Sequence, residues 1–186
     1  AAELISQLFV ECIVAPAYEP AALAIFAKKK TLRVMEMGEG IPQEQGAQGL
    51  DFKKISGGFL VQDKDAYKPV ENLKTATQRA PTDEETQDLA FAWTVAKHVK
   101  SNAIVFARNG QTLGVGAGQM SRVDSVRLAA EKAQLDLENC VMASDGFFPF
   151  RDALDEAVKS GVQAVIQPGG SKRDDEVTAA ADEQGV

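Results

Sequence analysis

Histidine and cysteine are nearly missing from this chain, and the scarcity narrows its chemistry at once. One histidine, His98, and two cysteines, Cys12 and Cys140, occur among 186 residues. Both cysteines lie in apolar surroundings without metal-type spacing, so no zinc cluster is encoded and reduced thiols are expected. Nothing reads as a signal peptide, a membrane span or a lipidation motif, and a soluble cytosolic protein is the expectation. Positive charge is also short. Twenty Lys and Arg against 27 Asp and Glu leave a net charge of −7 and a pI near 4.8. That balance argues against a general nucleic-acid or membrane-surface binder, and an anionic substrate would need Arg and Lys gathered locally. A dinucleotide fingerprint is lacking as well. Gly114-Val-Gly-Ala-Gly118 does not have the Gly-x-Gly-x-x-Gly spacing, and no acidic residue follows a suitable strand–turn–helix unit, so an NAD-binding module is disfavoured.

What is present is a chain 45% hydrophobic, enough to bury a sizeable core in one or two compact units. Its organising stretch runs from Ser101 to Arg122. Residues 102–107 are apolar and β-prone, and Asn109-Gly110 signals a tight hairpin turn because both residues tolerate positive φ. The returning strand, 111–115, runs into Gly114, Gly116 and Gly118 at every second position. Because i and i+2 share a strand face, these glycines strip one face of side chains, and a ligand or a neighbouring element is expected to approach closely. Ser121 is suited to cap a helix whose first turn holds Arg122, Val123 and Asp124. A bare face ending at such a helix start reads as an anion site; the plainer alternative is a Gly-rich strand beneath a helix.

The remaining elements follow from periodicity and punctuation. Residues 1–8 read as a helix and Phe9–Ala15 as a buried strand interrupted by Glu11, which is costly to bury unpartnered and so belongs at an exposed strand end. Glu19-Pro20 opens a helix running to Lys28-Lys29-Lys30, and 32–37 is the next strand. Residues 38–49 read as a loop, Gly57–Asp63 as a short strand, and the stretch to Pro81 as a polar connection. Thr82-Asp-Glu-Glu85 starts a helix expected to reach Lys100, with Leu89, Ala92, Trp93, Ala96 and Val99 on its inner face. His98 is therefore read as a structural residue in mid-helix. Strands at 140–144 and 162–166, helices at 121–134 and 151–159, and a last helix after Ser171 complete the pattern. Residues 10–37 and 141–167 repeat one motif: strand, aromatic-and-proline turn, helix ending in lysine, strand. Both ends read as cut, with Gly185 placed as a helix C′ residue.

Three runs carry a family resemblance: Ser101-Asn-Ala-Ile-Val with Gly116-Ala-Gly-Gln-Met-Ser-Arg122, Ser144-Asp-Gly-Phe-Phe-Pro-Phe-Arg-Asp152, and Gln167-Pro-Gly-Gly-Ser-Lys-Arg-Asp-Asp-Glu176. In this order they resemble the transformylase domain of the bifunctional purine-biosynthesis enzyme AICAR transformylase/IMP cyclohydrolase, over essentially the whole chain. The resemblance implies an α/β fold of the cytidine-deaminase-like layered α-β-α type, duplicated and truncated at both ends. Residues 1–76 would belong to the first subdomain and 77–186 to the second.

The implied reaction passes a formyl group from 10-formyltetrahydrofolate, the cosubstrate, to the 5-amino group of AICAR, without a metal. The resemblance places nucleotide contacts at Glu11, Asn102, Arg122, Phe147 and Asp152, with Asn102 also catalytic. Folate contacts would be Val123, Ser171 and Lys172. Asp145 is suited to holding its loop, with no assigned role. The family's proton-handling Lys-His pair has no counterpart, since Lys97-His98 falls in a helix. The chain alone is expected to be inactive, and a homodimer is implied for the parent enzyme. The rival reading is a non-catalytic binding or structural fragment of the same fold.

Overall fold

A computed structural model describes residues 1–38, 49–66, 70–71 and 73–186. The chain divides into two units, residues 1–68 and 69–186, and its architecture is mixed α/β.

The first unit has a thin core. Helix α1 (Ala2–Gln7) leads to strand β1 (Cys12–Ala15), helix α2 (Pro20–Phe26) and strand β2 (Arg33–Glu36). Pro20 occupies the first turn of α2, where its missing N–H costs nothing. The helix stops at Phe26, so the three lysines follow it instead of forming its last turn, and Lys29 Nζ donates to the Leu8 carbonyl at 2.6 Å. β1 and β2 pair in parallel, from Cys12 opposite Arg33 to Ala15 opposite Glu36. The Tyr18 hydroxyl lies 3.0 Å from the carbonyl oxygens of both Ile13 and Met35, tying the turn across the two strands. Its ring meets Phe26 edge-on at 6.2 Å, and Phe26 is the one buried hydrophobic side chain among the described residues of this unit.

β1 is shorter than expected because Phe9 points to solvent, 92% exposed, and pairing begins only at Cys12. The short strand expected at Gly57–Asp63 is β4 (Gly58–Asp63), and it pairs in a hairpin with an unexpected strand, β3 (Leu50–Ile55), through Ser56-Gly57. Lys53-Lys54 breaks the alternation that would have marked β3. Residues 39–48, the body of the expected loop, lie outside the described residues.

The second unit is built on a four-stranded sheet in the order β6-β5-β7-β8. Strand β5 (Ile104–Arg108) pairs antiparallel with β6 (Gln111–Gly116) and with β7 (Cys140–Ser144), and β7 pairs in parallel with β8 (Val162–Ile166). Asn109 and Gly110 form the two-residue turn, with φ of 54° and 66°. Asp88 of helix α3 (Asp83–Lys97) accepts from both of their amides, at 2.8 and 2.7 Å. The Thr82/Glu85 capping box is fully made, and α3 ends three residues earlier than the pattern implies, with His98 at its C-cap. His98 is thus an exposed terminal residue, not a mid-helix one.

Both sheet faces are covered, which is why β5 and β7 read as continuous apolar runs. Val105, Ala107, Val141, Ala143 and Ile166 pack with Leu89, Ala92 and Ala96 of α3. On the opposite face, Ile104, Phe106, Cys140, Met142 and Val162 pack with helices α4 (Arg122–Lys132), α5 (Asp152–Lys159) and α6 (Asp174–Gln184). The repeat read in the sequence is real at this level: β1-α2-β2 and β7-α5-β8 are both parallel strand–helix–strand units.

Candidate functional site

The glycine-stripped face of β6 is filled by a helix. A Cβ at Gly114 would stand 2.3 Å from the Ala129 carbonyl oxygen, and one at Gly116 only 1.9 Å from that of Ser125. Helix α4 therefore lies directly on the strand, and the plainer of the two readings of that face holds. Close packing fixes where α4 begins, and Ser121 caps it by accepting from the Asp124 amide at 3.2 Å.

Arg122, the first residue of α4, turns inward toward the end of β7. Its Nη1 donates to Ser144 Oγ at 3.0 Å and to Asp145 Oδ1 at 2.5 Å, and its Nη2 donates to Asn102 Oδ1 at 2.8 Å. The side chains of Arg122 and Asp145 are 11% and 16% exposed. An incoming anion would meet a guanidinium already balanced by a carboxylate, so this is not the open anion cradle that the motif suggested. Asn102 is held from both ends of its carboxamide, since its Nδ2 donates to the Gln119 carbonyl at 2.9 Å. Its own carbonyl accepts from buried Ser125 Oγ at 2.8 Å.

Asp145 accepts from three donors: Ser101 Oγ, the Ala103 amide at 2.9 Å, and Arg122. Burial pushes its carboxyl pKa up, but the hydrogen bonds from Ser101, Ala103 and Arg122 together outweigh burial and hold it below the usual carboxylate value. The carboxylate stays ionised at neutral pH.

Of the residues expected at a site, Asn102 and Arg122 are in direct contact, and Val123, the second residue of α4, packs its side chain against the core. Phe147, two residues beyond Asp145, is 44% exposed, whereas its neighbour Phe148 is 1% exposed and supplies the core aromatic. Asp152 is an exposed first residue of α5 whose Oδ1 accepts from the Ala153 amide at 2.8 Å.

Ser171 and Lys172 precede α6 instead of opening it, because the helix begins at Asp174 after Arg173. The Gly170 and Ser171 amides are already taken by the Asp174 carboxylate at 2.7 and 3.2 Å, so the helix start offers less to an anion than its sequence suggests. Among the described residues no hydrogen bond or ion pair joins Phe147, Asp152, Ser171 or Lys172 to the Asn102–Arg122–Asp145 cluster. Glu11 belongs to the other unit, exposed just before β1. The sequence reading left out Ser101, Gln119 and Ser144 as partners in the cluster.

Among the described residues no group of three or more His, Cys, Asp or Glu side chains is gathered to hold a metal, and no helix is long and apolar enough to cross a membrane. The family model described as AICARFT/IMPCHase bienzyme matches residues 1–132, and the chain belongs to that family. Its relatives include three proteins named bifunctional purine biosynthesis protein PurH, from Cereibacter sphaeroides strains ATCC 17029, ATCC 17025 and ATCC 17023. Each is 55% identical over an alignment of 196 residues that covers all of this chain. The chain spans 37% of the length of those relatives.

Proposed function

We propose that this chain is part of the transformylase portion of a bifunctional purine-biosynthesis enzyme whose second activity is IMP cyclohydrolase. The reaction is formyl transfer from 10-formyltetrahydrofolate to the 5-amino group of AICAR. The observation that carries the proposal is family membership with 55% identity along the whole chain to proteins named for purine biosynthesis. The layered second unit, with helices on both sheet faces, is compatible with the cytidine-deaminase-like fold assigned here to residues 77–186, with 1–76 belonging to a first subdomain. A cytoplasmic homodimer completes the reading.

The chemistry sets what these residues must do. The AICAR amine is a weak nucleophile because its lone pair is delocalised into the ring, so orientation, proton removal and support for a tetrahedral oxyanion are all needed. Asn102 serves orientation. The Arg122 and Gln119 bonds use one lone pair of its oxygen and one N–H, leaving an acceptor and a donor for the substrate carboxamide. Arg122 acts beside it, Phe147 offers an exposed ring for stacking, and Asp152 and Glu11 are polar contacts to the nucleotide. Val123, Ser171 and Lys172 form the folate side. Proton handling is assigned to residues other than His98, which caps α3 in solvent.

The test uses the full-length enzyme carrying this segment, with tetrahydrofolate release measured in the presence of AICAR. Asn102→Ala should lower kcat/KM for AICAR about ten- to a hundredfold. The 186-residue chain alone should show no turnover, and His98→Ala should change nothing in the enzyme. An Asn102→Ala enzyme as active as wild type would remove the site from this place.

A further inference from the structure

Three donors converge on Asp145, and their origins are informative. Ser101 and Ala103 are the residues on either side of Asn102, and Arg122 is the residue that donates to the Asn102 amide oxygen. One carboxylate therefore holds the hydroxyl of the residue before Asn102, the backbone amide of the residue after it, and the guanidinium that orients its side chain.

The neighbours of Asp145 are fitted to the same guanidinium. Ser144 Oγ accepts from Arg122 and donates its own hydrogen bond to the Gly146 carbonyl at 2.7 Å. A Cβ at Gly146 would lie 2.6 Å from Arg122 Nη2, so a side chain there would push the guanidinium out of its present place. A hydroxyl, a carboxylate and a bare Cα thus follow one another around a single side chain. A turn leaving a strand requires none of the three.

With its oxygens occupied by three donors and its carboxyl held ionised, Asp145 is a poor proton acceptor. Its part is geometric. We infer that Asp145 is a positioning residue for Asn102 in the transformylase reaction, acting through Ser101, Ala103 and Arg122. The inference rests on the function proposed above.

The experiment has two arms. In the isotopically labelled 186-residue chain, the Asn102 side-chain amide and Arg122 guanidinium resonances are compared for wild type, Asp145→Asn and the milder Ser101→Ala, which removes one donor and keeps the ion pair. Both variants should move the Asn102 amide signals, Asp145→Asn the further. In the full-length enzyme, Asp145→Asn should lower kcat about ten- to a hundredfold, with KM for 10-formyltetrahydrofolate within about threefold of wild type. Ser101→Ala should show the same pattern at smaller amplitude. Asn102 signals unmoved in both variants, or a kcat for Asp145→Asn within about twofold of wild type, would overturn the inference. A wild-type enzyme without formyl transfer, accompanied by displaced Asn102 signals, would refute the functional reading and uphold the placement of Asn102 by Asp145.

Discussion

Adding one methyl group at Gly116 tests how the second unit is assembled. The new Cβ would fall 1.9 Å from the Ser125 carbonyl oxygen and 2.7 Å from its carbon, both backbone atoms of α4. Restoring an ordinary contact near 3.4 Å requires α4 and β6 to separate locally by about 1.5 Å. No rotamer change can relieve the clash, because the obstructing atoms belong to the main chain. Overpacking of this kind costs about 3 kcal/mol, the upper end of the usual range. For a unit of this size the loss corresponds to a fall in melting temperature of about 10 °C.

Trp93 is the chain's sole tryptophan and sits half-buried on α3, so its fluorescence reports the same unit during thermal or denaturant unfolding. Gly118→Ala is the control. A Cβ there would meet only Lys100 Cδ at 3.9 Å, leaving the left-handed φ of +67° as its one penalty, about 1–2 kcal/mol. Ser125 also donates to the Asn102 carbonyl, so displacing it should disturb the Asn102 amide signals in Gly116→Ala and not in Gly118→Ala. A Gly116→Ala protein that melts no lower than Gly118→Ala would refute the close strand–helix contact.

Two further expectations concern titrating groups. Cys140 is buried in β7, and burial pushes its thiol up to about 12 against smaller opposing effects, whereas Cys12 is exposed. At pH 8 a thiol reagent should therefore modify Cys12 in the native chain and reach Cys140 only on unfolding, and two equally fast thiols would contradict the fold. Because the folded pKa of Asp145 is lowered from 3.8, its stabilising contribution is complete above that value and disappears as pH falls through the lower, folded-state pKa. The melting-temperature gap between wild type and Asp145→Asn should be constant from pH 7 to about 5 and narrow below about 4, and a gap unchanged at about pH 2.5 would contradict the pairing.

The parts of the fold legible in sequence are those where a local pattern coincides with the tertiary requirement. Residues 140–144 and 162–166 are short apolar runs closed by turn residues, and both are strands with those bounds because the sheet is covered on each face. Asn109-Gly110 encodes its turn within two residues. Elsewhere the extent of an element is set by a distant partner. Apolar residues from Phe9 suggest a longer β1, but β2 reaches only from Arg33 to Glu36. Helix α3 keeps an apolar periodicity through Val99, yet ends at Lys97 as the chain turns toward Ser101 and β5.

The site shows the same division more sharply. Asn102 and Arg122 stand in recognisable motifs, so their identity could be read, but their relation could not. Twenty residues separate them, and their contact exists because the β5–β6 hairpin returns the chain and the glycine face lets α4 settle against β6. A missing side chain is ambiguous in sequence: a bare strand face accommodates a ligand or a helix equally well, and only the helix's position decides. Asp145 was harder to read because a carboxylate after a strand is an ordinary turn residue. Its partners lie 23 to 44 residues away, and they meet it because β5 and β7 are adjacent, with Ile104 opposite Ser144. The register that brings Ser144 opposite Ile104 also sets Asp145 beside the backbone flanking Asn102. A strand pairing thereby becomes the means by which one amide is aimed.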